Sequence, residues 1–245
     1  MKNIINKIAA IHQPDFFPWL GNFDKINCAD VFIVLDNVQY IKKGSNWSNR
    51  VKIIINGEPR FITIPVERNY HGTRSYIDTK LCCTTHWREK MLSSIKSNYG
   101  KSPFFQETYS VVEKLIMNPT DSLLAYNLKI IFTLTEKFNI DSSKIILASD
   151  LNPKGKATEQ LINLTKAADC NTYMCGGGAD GYQLDSRFEE EGIDLLYQNF
   201  KHPVYKQFNT VKFYPGLSII DALMNCGFSE TENLIKGNSG KLPGK

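Results

Sequence analysis

The sequence predicts an α/β fold: a mixed, largely parallel sheet flanked by helices, with an antiparallel hairpin and a central helical layer. Three observations predict it. Two short apolar runs, Ile8–Ile11 and Val31–Leu35, lie on either side of a helix-like segment ending near Ala29, which is the β-α-β pattern of parallel strands. The alternation of strand and helix patterns resumes from Lys144 to Gln198. Between these regions lie an Asn56-Gly57 turn and three consecutive segments of helical periodicity.

In chain order, the first strand ends abruptly in His12-Gln13-Pro14, and the second ends in Asp36. Parallel strands place His12 and Asp36 at neighbouring carboxyl ends, the edge of an open sheet where ligands usually sit. Residues 38–50 are polar and aromatic without periodicity and read as a loop over a site. Val51–Ile55 and Phe61–Val66 flank Asn56-Gly57, although Glu58-Pro59 points to a connection longer than two residues; these antiparallel strands are expected to join the sheet. Residues 67–80 are polar, with Ser75–Asp78 as a candidate short strand.

Trp87, Met91, Ile95 and Tyr99 recur every four residues behind a Thr84 or Thr85 cap, and Gly100 ends the helix. Phe105 to Ile116 and Leu124 to Phe138 supply two more helices, the second starting near Asp121 or Ser122. Strand 145–148, helix 157–168, strand 172–175, helix 184–190 and strand 193–198 follow, then a last helix at Leu217–Cys226. With no Pro- or Ser-rich linker, residues 1–228 read as a single domain containing a helical subdomain at 84–140, and 229–245 read as a flexible tail.

Composition narrows the function. The chain of 245 residues is 42% hydrophobic, enough for a sizeable core. Its net charge of +4 favours small anionic ligands without indicating nucleic acid. The six cysteines lack framework spacing and the first residues carry no secretory pattern, so a reduced, cytoplasmic location is expected. No apolar run approaches the roughly 20 residues of a membrane span.

His12, in a turn after a buried strand, suits a general base, with Gln13 and Trp19 of the same turn as candidate substrate contacts. A structural histidine bonded to a nearby carbonyl is the plainer alternative. Asp36 can orient His12 or cap a turn, and Gln39 follows it as a candidate contact. Asn46, Trp47 and Arg50 combine an amide, a stacking face and a guanidinium, suited to a nucleotide sugar, while Trp47 as a loop anchor is the competing account. Phe200 to Gln207 mirrors the first turn: strand, His202, Pro203, then Tyr205 and Gln207. If its strand runs parallel to the first, His202 and His12 share an edge and can divide acid and base roles.

Two tempting motifs fail. Gly176 to Gly181 satisfies GxGxxG, but the next strand ends at Tyr197-Gln198 without the acidic residue that holds a ribose; a glycine turn closing the pocket, with Gly177 as a contact, is the better reading. Cys82-Cys83 with His86 has no second ligand pair at zinc spacing, so no metal is expected.

The same residues carry a resemblance. His12-Gln13-Pro14 with Phe17 to Gly21, Leu35 to Gln39, Asn46-Trp47, Arg50, Lys154 to Glu159, His202 to Gln207 and Leu217 to Asp221 resemble, in order along nearly the whole chain, the WbqC-like family. The resemblance implies a setting among enzymes that build O-antigen and other surface sugars, where some members are described as glycine transferases. The activity it implies is aminoacyl, specifically glycyl, transfer to the amine of a nucleotide-linked 4-amino-4,6-dideoxy sugar. Such an enzyme needs no resident cofactor but does need an activated acyl donor: a carrier-protein thioester, an aminoacyl-tRNA or ATP. The catalytic assignments to His12, Asp36 and His202 come from residue type and placement. Two alternatives stand beside it: an amino-acid-activating nucleotidyl-transferring enzyme, whose second motif histidine is absent here, and a non-catalytic partner that binds the sugar nucleotide.

Overall fold

The computed structural model describes residues 6–41, 47–82, 86–176 and 185–239. Seven strands and eight helices follow in the order β1 (Ile8–His12), α1 (Leu20–Cys28), β2 (Val31–Val34), β3 (Arg50–Ile55), β4 (Glu58–Thr63), α2 (Trp87–Tyr99), α3 (Phe105–Ile116), α4 (Leu123–Lys137), β5 (Ile145–Leu147), α5 (Ala148–Leu151), α6 (Thr158–Ala167), β6 (Thr172–Cys175), α7 (Asp185–Glu190), β7 (Asp194–Tyr197) and α8 (Ile219–Ser239). Five strands form one sheet in the order β5-β2-β1-β6-β7, and every pairing in it is parallel. The α/β class is as the sequence predicts.

The chain builds this sheet outward from β1, first through β2 to β5, then back across to β6 and β7. The reversal falls between β1 and β6, and in open α/β sheets such a switch point leaves a crevice outside the strand ends. His12 is the last residue of β1, paired with Val34 of β2. The period-2 alternation of a strand sorts the apolar residues onto two faces. Ala9, Ile11, Ile33, Tyr173 and Cys175 pack with Leu161 and Leu164 of α6 and Phe188 of α7. Ala10, Phe32, Val34 and Met174 face the larger core, which includes Phe23 and Ile26 of α1, Ile220 and Leu223 of α8, and the buried stripes of α2, α3 and α4.

The hairpin differs from expectation in two respects. It does not join the main sheet: β3 and β4 pair only with each other. Backbone groups of β3 that β4 leaves unused are bonded elsewhere, Ile54 N–H donating to the Tyr99 hydroxyl and Lys52 C=O accepting from Ser218 N–H. Its turn is also shorter than Pro59 suggested. Ile55 pairs directly with Glu58, and Asn56 and Gly57 both take positive φ, as a two-residue type I′ turn requires. Pro59 opposes Ile54, a position whose N–H points away from the ladder, so its missing donor costs no pairing bond.

The carboxyl end also departs from the sequence reading. The helix expected to stop at Cys226 continues to Ser239, with a break at Gly227 (φ 72°) where any Cβ would lie 2.6 Å from the Phe104 ring. Thr231 and Ile235, one turn apart, are both fully buried, and Lys236 donates to the Asn139 carbonyl and pairs with Glu232. Packing thus holds residues that composition alone marks as tail. The Ser75–Asp78 strand is reduced to an isolated bridge between Ser75 and Gln39. Among the described residues no helix is long and apolar enough to cross a membrane.

Candidate active site

The turn after β1 is a tightly anchored loop. Phe17 adopts a positive φ of 36° with its ring fully buried, a conformation that a non-glycine residue holds only where its surroundings determine it. Those surroundings are explicit. Asn127 of α4 donates to the carbonyls of both Pro14 and Ser48, each at 2.7 Å, joining the His12 turn to the segment that bears Trp47. Phe16 N–H donates to the Trp47 carbonyl at 3.0 Å. At the start of α8, Ser218 Oγ, just before the helix, donates to Phe17 C=O at 2.9 Å, and Ile219 N–H, its first residue, to Pro18 C=O.

These anchors open a cleft of about 420 Å³ whose lining includes His12, Asp15, Trp19, Trp47, Lys52 and His202. Two histidines distant in sequence thus meet in one cavity. The Trp19 indole packs against the second of them: its ring centroid is 4.9 Å from that of His202 and 5.2 Å from that of Phe200. Trp19 can lie there because residue 21 is glycine; a Cβ at Gly21 would fall 2.2 Å from the indole.

The two imidazoles are held in opposite senses. His12 Nδ1 lies 3.0 Å from the Gln13 carbonyl, an acceptor only, so Nδ1 carries the hydrogen and Nε2 keeps the lone pair. His202 Nδ1 instead accepts from Gly216 N–H at 3.4 Å, which leaves the hydrogen on Nε2. Burial and the positive charge of Lys25 lower the His12 pKa to about 4, so the ring is neutral at pH 7 and available as a base. Desolvation also lowers that of His202. Asp15, 3.6 Å from His12 Nδ1, is pushed up to about 7 by its burial, against the opposing pull of Lys25. Lys25, on the buried face of α1, is brought down to about 8 by desolvation, offset in part by Cys175, Asp15 and Asp24.

Several expected site residues lie elsewhere. Asp36 is fully buried, and its two oxygens accept from the backbone N–H and hydroxyl of Ser149, at 2.9 and 2.6 Å. It caps the start of α5, the turn-capping account, and the carboxylate beside His12 is Asp15. Tyr205 and Gln207 do not face the cleft: both donate to Asp221 Oδ2 while Tyr99 donates to Oδ1, an arrangement that fixes the 202–207 segment to α8. Arg50 lies over the Phe61 ring at 4.5 Å. Trp47, 39% exposed, is 5.8 Å from the same ring and also lines the cleft, so it acts as both anchor and wall. Gln39 bridges to Ser75, and Gln13 contributes its carbonyl. Asn46 and Gly177 fall outside the described residues, as does most of the glycine-rich turn.

Sequence reasoning missed Asp15, Lys25 and Lys52. Asp15 directly follows His12-Gln13-Pro14, at i+3 from His12, and that adjacency is its signal in the sequence. Lys25 gave a signal only in that it shares a helical face with Gly21 and Cys28, four and three residues away. Among the described residues no group of three or more His, Cys, Asp or Glu side chains is placed to hold a metal.

The chain is 28% identical over 228 residues to the uncharacterized protein Rv1507c of Mycobacterium tuberculosis, covering 90% of this chain and 94% of that one. No solved structure matches it. A family model matches residues 13–233, nearly the whole described fold, and the chain belongs to the WbqC-like protein family.

Proposed function

We propose that this protein is an aminoacyltransferase that joins an activated amino acid, glycine in the first instance, to the amine of a nucleotide-linked 4-amino-4,6-dideoxy sugar in surface polysaccharide synthesis. The observation that carries the chemistry is the pairing of one imidazole with a lone pair at Nε2 and another with a hydrogen at Nε2 in a single cleft. An amine attacks an acyl carbon only when its nitrogen lone pair is available. His12 Nε2 removes the amine proton as the C–N bond forms and passes it to the departing group as the bond to the acyl carbon breaks, while His202 Nε2–H donates a hydrogen bond to the oxyanion that develops on the acyl group. The sum is one amide made, one donor bond broken and one proton moved. Trp19 and Trp47 supply apolar faces for the sugar or base, and Lys52 a positive charge for the nucleotide phosphates. The substrate class rests on family context.

The test is mass spectrometry of the purified protein with an amino-sugar nucleotide and glycine, supplied with ATP, as a carrier-protein thioester or as glycyl-tRNA. A glycyl increment that depends on one source and is lost in His12→Ala supports transfer and identifies the donor. Tight sugar-nucleotide binding with no increment from any source supports the binding-partner alternative.

A further inference from the structure

A second cavity, of about 540 Å³, lies against the first: His12 and Trp19 line both. Its other walls come from the carboxyl ends of β1, β6 and β7 and from α1, including Ile11, Tyr173, Gly176 and Gln198. It therefore occupies the crevice at the β1/β6 switch point, where the strand order reverses.

Two polar side chains of α1, Lys25 and Asn22, line this cavity. Lys25, 5% exposed, makes no hydrogen bond through Nζ with any described residue, although burying an ammonium without such bonds is costly. Asp24, Asp15 and Cys175 offset part of that cost through their charge, while the Asp24 oxygens accept from other donors, Oδ2 from Gln198 Nε2 at 2.7 Å and Oδ1 from Cys28 Sγ at 3.7 Å. Asn22, 3% exposed and one turn from Lys25, has an Oδ1 with no partner. A buried cation beside a buried, vacant acceptor calls for a ligand that offers both an anion and a donor.

We propose that this cavity is an anion-binding pocket for a singly charged oxyanion, a carboxylate or a phosphate ester, that also carries an O–H or N–H. Lys25 pairs with the anion and Asn22 Oδ1 accepts from the adjacent donor. Lys25 brings a single positive charge, and with a pKa of about 8 it remains mainly protonated at pH 7 and below. A ligand seated there reaches the His12–Trp19 wall from the side opposite the cleft described above. The proposal stands apart from the transfer reaction, because binding is read without turnover.

The experiment is heteronuclear NMR titration of the full-length protein at about pH 5, below the second ionisation of a phosphate monoester, with glycolate, acetate and methyl phosphate as probes. Saturable shifts at the Asn22 side-chain amide and at Gly176 are expected. Acetate, which has no hydroxyl, should bind several-fold more weakly than glycolate, and Asn22→Ala should erase that difference. Lys25→Met should weaken binding about tenfold or more, and Lys25→Arg should retain part of it. Preference for glycolate assigns a carboxylate ligand, and preference for methyl phosphate a phosphate ester; either supports the pocket. If Lys25→Met does not fold, the Asn22→Ala comparison decides. No saturation with any probe, or unchanged affinity in both folded variants, overturns the proposal.

Discussion

Asp15 Oδ2 lies 3.6 Å from His12 Nδ1, yet the ring donates its hydrogen to the Gln13 carbonyl at 3.0 Å. The carboxylate next to the histidine is therefore an electrostatic neighbour and not its hydrogen-bond partner. Burial moves the two groups in opposite directions, His12 down to about 4 and Asp15 up to about 7, and Lys25 acts on both.

This has a consequence for stability against pH. Between pH 4 and 6.5 the unfolded chain binds more protons at His12 than the folded chain does, so this residue makes stability rise with pH. Between pH 3.8 and 7 the folded chain binds more at Asp15, which makes stability fall with rising pH. The two oppose each other across the shared window. His12→Gln should therefore expose the Asp15 contribution, and urea denaturation from pH 4 to 7 should show the variant losing stability relative to wild type as pH rises.

In the proposed transfer, the base limb of the kcat/KM profile should fall nearer pH 4 than the 6.5 of an ordinary histidine, since His12 stays neutral through that range. Steady-state rates across pH checks this. A limb at 6.5 that disappears in His12→Gln would contradict the depressed pKa.

Gly21→Ala should move the Trp19 indole, because the new Cβ would sit 2.2 Å from the ring. Trp19 also packs on His202 and Phe200, so its tryptophan fluorescence and the His202 ring resonances should shift together. The expected functional outcome is a raised KM with the protein still folded.

Asp36→Asn and Asp221→Ala separate structural carboxylates from the cleft. Asp36 serves Ser149, so Asp36→Asn should lower stability by about 1–3 kcal/mol and leave kcat/KM of the folded protein nearly unchanged. Asp221→Ala leaves the Tyr99 and Tyr205 hydroxyls without their acceptor and the Gln207 amide with only the Tyr214 carbonyl, and a loss of roughly 3 kcal/mol or more is expected by denaturant titration. It should also loosen the segment carrying His202.

The sequence by itself determined the strands and helices that alternate around His12, because period-2 and period-3.6 patterns and turn residues are local properties of the chain. That the His12 and His202 turns share one sheet edge depends, in the sequence, on whether the last strand runs parallel to the first, and the pairing of β6 with both β1 and β7 decides it. Only the tertiary structure decided which carboxylate accompanies His12: Asp36 as orienter and Asp36 as cap are both open in the sequence until Ser149 is seen to occupy it, and Asp15 is the one found beside the ring. It likewise decided that Tyr205 and Gln207 serve Asp221 and that the hairpin stands apart from the main sheet. The burial of Lys25 and the length of α8 have the same origin: both depend on residues brought together from distant parts of the chain, and local patterning carries no record of that contact.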